Sequence, residues 1–193
     1  SHQCAYTTDP ASLANGELDV VLEAATPEAV RKHVPAILRA GKSVLVLSVG
    51  AFADLDCLAE AREAARQGGS RLLLPTGAIA GLDYLKAAQS FGIEAVTLTM
   101  TKGPKALMGA PYFDRHPIDL NALVEPTVVF EGSAAEAIEG FPSNVNVAVA
   151  LSLASLGPKK TRVRVVCDPA ATCIRSEVYA RGVTGELRVE LRN

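Results

Sequence analysis

The chain has 193 residues, 49% hydrophobic and 21% charged, with 19 Lys/Arg against 21 Asp/Glu. That length holds one large domain or two small ones, and a net charge of −2 argues against a nucleic-acid-binding surface. No apolar run reaches membrane-spanning length; four cysteines without a Cys-x-x-Cys pair argue against a metal site and lead to the expectation of reduced, mostly buried thiols in a cytoplasmic protein.

Residues 1–18 read as a turn-rich lead, with Thr7-Thr8-Asp9-Pro10 and Asn15-Gly16. Asp19–Glu23 reads as a short buried strand. A helix follows to about Ala40, with Thr26 as its cap and Pro27 at the first helical position. Its apolar residues Ala29, Val30, Val34, Ile37 and Leu38 recur at helical spacing, and Gly41 stops it. Ser43–Ser48 is a continuous apolar run, as in buried parallel strands. Asp54–Gln67 is a second amphipathic helix, closed by Gly68-Gly69, and Arg71–Leu74 is a third strand. Alternating strands and helices imply right-handed crossovers and a parallel sheet. Ligands bind outside the carboxyl ends of such strands, where Ala24-Ala25, Gly50-Ala51 and Gly77-Ala78 would let a flat molecule approach the backbone.

Beyond Gly81 the pattern changes. A helix over Leu82–Ser90 leads to a strand over Glu94–Thr101, then to a loop from Lys102 to Leu123. Thr127–Phe130 is a strand, Ala134–Glu139 and roughly 144–155 are helices, and Thr161–Cys167, Cys173–Ala180 and Glu186–Leu191 are strands. Short connections between the last three predict an antiparallel meander. The fold class is therefore α/β: a partial parallel sheet over residues 1–76, then an α+β domain over 77–193 with a mostly antiparallel sheet. From Lys159 onward eight Lys/Arg stand against four Asp/Glu, mostly alternating with apolar residues, which reads as a solvated sheet face.

Four segments occur in a telling order: Ser48–Asp54 (S-V-G-A-F-A-D), Pro75–Asp83 (P-T-G-A-I-A-G-L-D), Val129–Ala134 (V-F-E-G-S-A) and Pro142–Val147 (P-S-N-V-N-V). Together they resemble the L-aspartate dehydrogenase family, over nearly the whole chain from Thr8. The resemblance implies a Rossmann domain (1–76) followed by a catalytic and dimerisation domain (77–193). It also implies a homodimer that oxidises L-aspartate to iminosuccinate with NAD or NADP, in NAD biosynthesis or amino-acid metabolism. Carried over by motif, Ala78 and Asn146 match positions that contact the cofactor. A carboxamide such as Asn146 can both donate to and accept from a nicotinamide amide; capping its own helix is an equally good reading of that residue. Ala25, Gly50, Ala51 and Gly77 complete the cofactor-binding set.

Three departures stand out. No Gly-rich G-x-G-x-x-G turn occurs, and no N-P-K-T-S-like closing segment follows the last strand. Where the family carries N-x-H, this chain has Ile174 and Ser176. Ser176 thus stands at the position of the catalytic histidine, on a face shared with Ile174, Val178 and Ala180. A serine hydroxyl does not accept a proton at neutral pH without a base of its own, so the form with Ser176 is expected to be slow or inactive. His33 is expected to pack beside the first helix's stripe, His116 to sit in a solvated loop, and Arg175 to face away from Ser176. Lys102, at a strand end, is a candidate for the substrate carboxylate. Two alternatives are a non-catalytic remnant serving oligomerisation or ligand binding, and a related oxidoreductase on a semialdehyde or another amino acid. The semialdehyde reading needs a nucleophile in Cys167 or Cys173, and structural burial is the expectation for both.

Overall fold

A computed structural model describes residues 5–142 and 145–192, except for the side chain of Val145. Cys4, Ser143 and Asn144 lie outside the described residues. The chain divides into two compact units, Ser1–Pro75 and Thr76–Asn193.

In the first unit, a single turn α1 (Ser12–Asn15) precedes strand β1 (Val20–Glu23) and helix α2 (Pro27–Arg39). Thr26 caps α2 by accepting from the Ala29 amide at 3.1 Å, with Pro27 in the first turn. β2 (Ser43–Val46), a 3-10 turn (Val49–Ala53), α3 (Leu55–Gly68) and β3 (Leu72–Leu73) follow. Asp54 caps α3 through the amides of Asp56 and Cys57, and Gly69 ends it in the left-handed region at φ 61°. The three strands are parallel in the order β1-β2-β3.

Val21, Val44 and Val46 are buried, as are the inner residues of α2 and α3. The opposite face of the sheet is open. Val20 and Leu22 are 56% and 59% exposed, which corrects the expectation of a wholly buried first strand. The periodicity of an apolar run does not reveal how many layers cover it.

The second unit begins with α4 (Leu82–Gln89) and β4 (Ile93–Lys102), followed by α5 (Pro104–Leu107) and α6 (Tyr112–Arg115), short helices where the sequence predicts a loop. β5 (Thr127–Ser133), α7 (Ala134–Gly140), α8 (Val145–Leu153), β6 (Arg162–Cys167), β7 (Arg175–Gly182) and β8 (Gly185–Arg192) complete the chain. Ser133 and Glu136 form a reciprocal capping box at the start of α7.

The strand order is β5-β6-β4-β7-β8, with β4 and β6 parallel and every other pair antiparallel. The expected meander of the last three strands is therefore corrected: β4 lies between β6 and β7, and only β7-β8 is a hairpin. The Asp168–Ile174 connection is long enough to step across one strand, so β6 and β7 each pair with one edge of β4. One face of this sheet carries Val96, Leu98 and Met100 of β4, Val163, Val165 and Cys167 of β6, and Val178 and Ala180 of β7, all buried. The other carries charge, including the pairs Arg164–Glu131 (3.3 Å), Arg188–Glu177 (3.1 Å) and Arg192–Glu190 (2.8 Å).

Candidate active site

Strand register assembles the polar end of the buried face. Met100 lies opposite Ser176, and Lys102 opposite Cys167. Alternation along β4 puts Lys102 on the same side as Met100 and Leu98, so Lys102 and Ser176 share one face at the carboxyl end of β4. Ser176 is 5% exposed and Lys102 7%. Burial pushes the Lys102 ammonium below its ordinary value of 10.5. Its carbonyl accepts from the Asp168 amide at 2.9 Å, which fixes the strand end.

Asn146 is exposed in the first turn of α8. Just past the far end of that helix, the Ser155 hydroxyl donates to the Leu151 carbonyl at 2.6 Å and lies 3.2 Å from the Thr161 hydroxyl, immediately before β6. This hydroxyl pair ties the segment that follows α8 to the residue preceding β6. Gly77, at φ 65°, has open space where a Cβ would stand, and Ala78 beside it is exposed.

In the first unit, the carboxyl ends of β1 and β2 are joined by one carboxylate. Glu23 accepts from the Ala25 amide at 2.7 Å, and from the Ser48 amide and hydroxyl, both at 3.0 Å. Sequence reasoning missed Glu23; the only signal was an acidic residue ending an apolar strand before Ala24-Ala25. Ala25 is exposed and Gly50 half-buried, but Ala51 is wholly buried in the 3-10 turn, its methyl turned into the core.

The remaining candidates fall elsewhere. Arg175 faces away from Ser176, as expected, and donates to the Thr101 hydroxyl at 3.4 Å. It borders a cavity of about 190 Å³ on the charged side, with Asp168, Cys173 and Arg192. Cys173 is exposed, in the connection before β7 and not within a strand, which corrects the expectation that it is buried. Cys57 and Cys167 are buried, and burial raises both thiols. His33 is half-buried on α2. His116 is exposed and stacked on Tyr112, ring centroids 4.3 Å apart. No group of His, Cys, Asp and Glu among the described residues could hold a metal ion, and no described helix is long and apolar enough to cross a membrane.

Comparison with known proteins sets this geometry in a family. Residues 83–193 match the C-terminal domain of aspartate dehydrogenase, and residues 2–75 the NAD-binding domain of homoserine dehydrogenase. The chain is 42% identical over 191 residues to the L-aspartate dehydrogenase of Methanosarcina mazei, covering 97% of this chain and 70% of that one. The chain belongs to the aspartate dehydrogenase family. An L-aspartate dehydrogenase of Methanococcoides burtonii is 43% identical over 190 residues, across 96% of this chain and 70% of its own length. The crystal structure of aspartate dehydrogenase from Thermotoga maritima superposes with a TM-score of 0.78 at 30% identity, covering 97% of this chain and 71% of that chain. The first unit is thus of the NAD-binding kind, and the family's cofactor is a nicotinamide dinucleotide. Its strand ends fit the flat parts of such a molecule, since Ala25 and Gly50 present little side chain. A Gly-rich turn to cradle the pyrophosphate is not among the described residues.

Proposed function

We propose that this protein oxidises L-aspartate to iminosuccinate, which hydrolyses to oxaloacetate and ammonia, using NAD or NADP. The observation that carries the reading is the buried polar end of the second sheet, Ser176 beside Lys102, in a chain of this family. A bound dinucleotide would supply the acceptor for the hydride that leaves Cα.

The protein's own residues bind, orient and shield. In the first unit Ala25 and Gly50 leave backbone open to a flat ring and Ala51 holds its loop from the core side; in the second unit Gly77 and Ala78 leave backbone open at its start. Glu23 fixes the loops after β1 and β2 to one another. Asn146 reads the nicotinamide carboxamide with one donor and one acceptor. Lys102 lies at the carboxyl end of β4 on the face it shares with Ser176, and Val178, Ala180 and Met100 behind Ser176 exclude water. Ser176, in place of the family's histidine, sets the expected rate low. That residue also favours the second reading, a non-catalytic fold kept for ligand binding. A homodimer, a cytoplasmic location and a role in NAD biosynthesis belong to the first reading.

Incubation with L-aspartate and NAD⁺ or NADP⁺ tests the function. Reduced cofactor and ammonia should appear in equal amounts with L-aspartate, and not with L-glutamate or L-alanine. Reduction with all three amino acids alike would refute the substrate. Dinucleotide binding without any reduction would select the non-catalytic reading.

A further inference from the structure

We propose that Lys102 is the proton acceptor of this oxidation, taking the part of the imidazole that position 176 lacks. The inference rests on aspartate oxidation as the reaction and gives Lys102 a chemical step in place of the carboxylate-holding role expected from the sequence.

Geometry carries it. Ser176 pairs with Met100, and Lys102 lies two residues further along β4 on the same face. It is therefore the diagonal neighbour of Ser176, at a Cα separation of roughly 7–8 Å, which a lysine side chain spans. A group at Nζ can occupy the space that a longer side chain at 176 would fill. The second support is burial. Lys102 is 7% exposed, whereas ordinary surface lysines keep the ammonium in water. β6 brings Cys167, its register partner, and Asp168, whose amide donates to the Lys102 carbonyl. β7 brings the Ser176 hydroxyl and turns Arg175 to the opposite face. In this setting burial favours the neutral amine, the form that accepts a proton.

The step is a single proton transfer. The α-ammonium N–H bond of aspartate breaks, its electron pair stays on the substrate nitrogen, and a new N–H bond forms on Nζ. The neutral amine becomes ammonium, and the freed lone pair is what lets hydride leave Cα. In the reverse direction, Lys102 returns the proton to the new amine.

Two measurements on the purified protein test this together. The first is an NMR titration of 13C-lysine-labelled protein, with Lys102→Met assigning the resonance. Lys102 should titrate clearly below the other lysines. The second is kcat and KM for Lys102→Arg and Lys102→Met. Arginine keeps the charge but does not deprotonate, so both variants should lose about 10²–10⁴-fold in kcat. Ser176→His should restore activity to Lys102→Met. An ordinary lysine titration, or Lys102→Arg with intact kcat and only a raised KM, would overturn the inference and leave the reaction standing. A wild-type protein that binds dinucleotide but turns over no aspartate would overturn the reaction and this inference with it.

Discussion

Lys102 and Ser176 show how little room the buried face leaves for a charge. A lysine whose folded pKa lies below its unfolded value of about 10.5 disfavours folding at neutral pH. In the window between those two values the unfolded chain binds more protons, so stability rises with pH. Lys102→Met should therefore raise Tm at pH 7, with the advantage shrinking as pH climbs toward 10.5; equal gains at both pH values would contradict the burial argument. For Asn146 the proposed role is toward a ligand. Asn146→Ala should weaken NADH affinity about tenfold, near the worth of one or two neutral hydrogen bonds, measured by fluorescence titration. Unchanged affinity would leave Asn146 as a helix-start residue only.

Among the elements, the helices of the first unit were legible because their signals are local. Thr26 caps α2 where the sequence places it, Pro27 lies in the first turn, and Gly69 takes the left-handed turn that closes α3. α2 and α3 also meet through a glycine whose role no sequence pattern reveals. A Cβ on Gly68 would collide with the Leu38 carbonyl oxygen. Gly68→Ala is expected to cost about 1–3 kcal/mol, in the range of overpacked sites, read from the urea midpoint. The strands were legible as segments but not as partners. Alternation marks a strand, whereas the insertion of β4 between β6 and β7 is a long-range pairing that no local spacing encodes. For the same reason Lys102 was a candidate from its place at a strand end, but its position beside Ser176 was hidden: it needs the β4-β7 register.

At the scale of the molecule, two units are built on opposite plans. The first has a parallel sheet whose outer apolar face is open; the second has a mixed sheet with one buried face and one lined with ion pairs. Those exposed pairs contribute little each, roughly 0–1 kcal/mol, so the second unit's stability resides in its covered face. Thiol accessibility follows the same division. In the native protein Cys173 should react with a thiol-specific chromogen promptly, with Cys57 and Cys167 protected until unfolding; prompt reaction at Cys167 would mean that the face beside Lys102 opens readily. The central proposal is that this face, with Ser176 and Lys102, performs aspartate chemistry. It is tested most directly by NAD(P)H consumption with oxaloacetate and ammonia, each omitted in turn. Slow turnover that requires both, and that falls with Lys102→Met, is the predicted result. A folded protein that binds NAD(P)H and consumes none would contradict it.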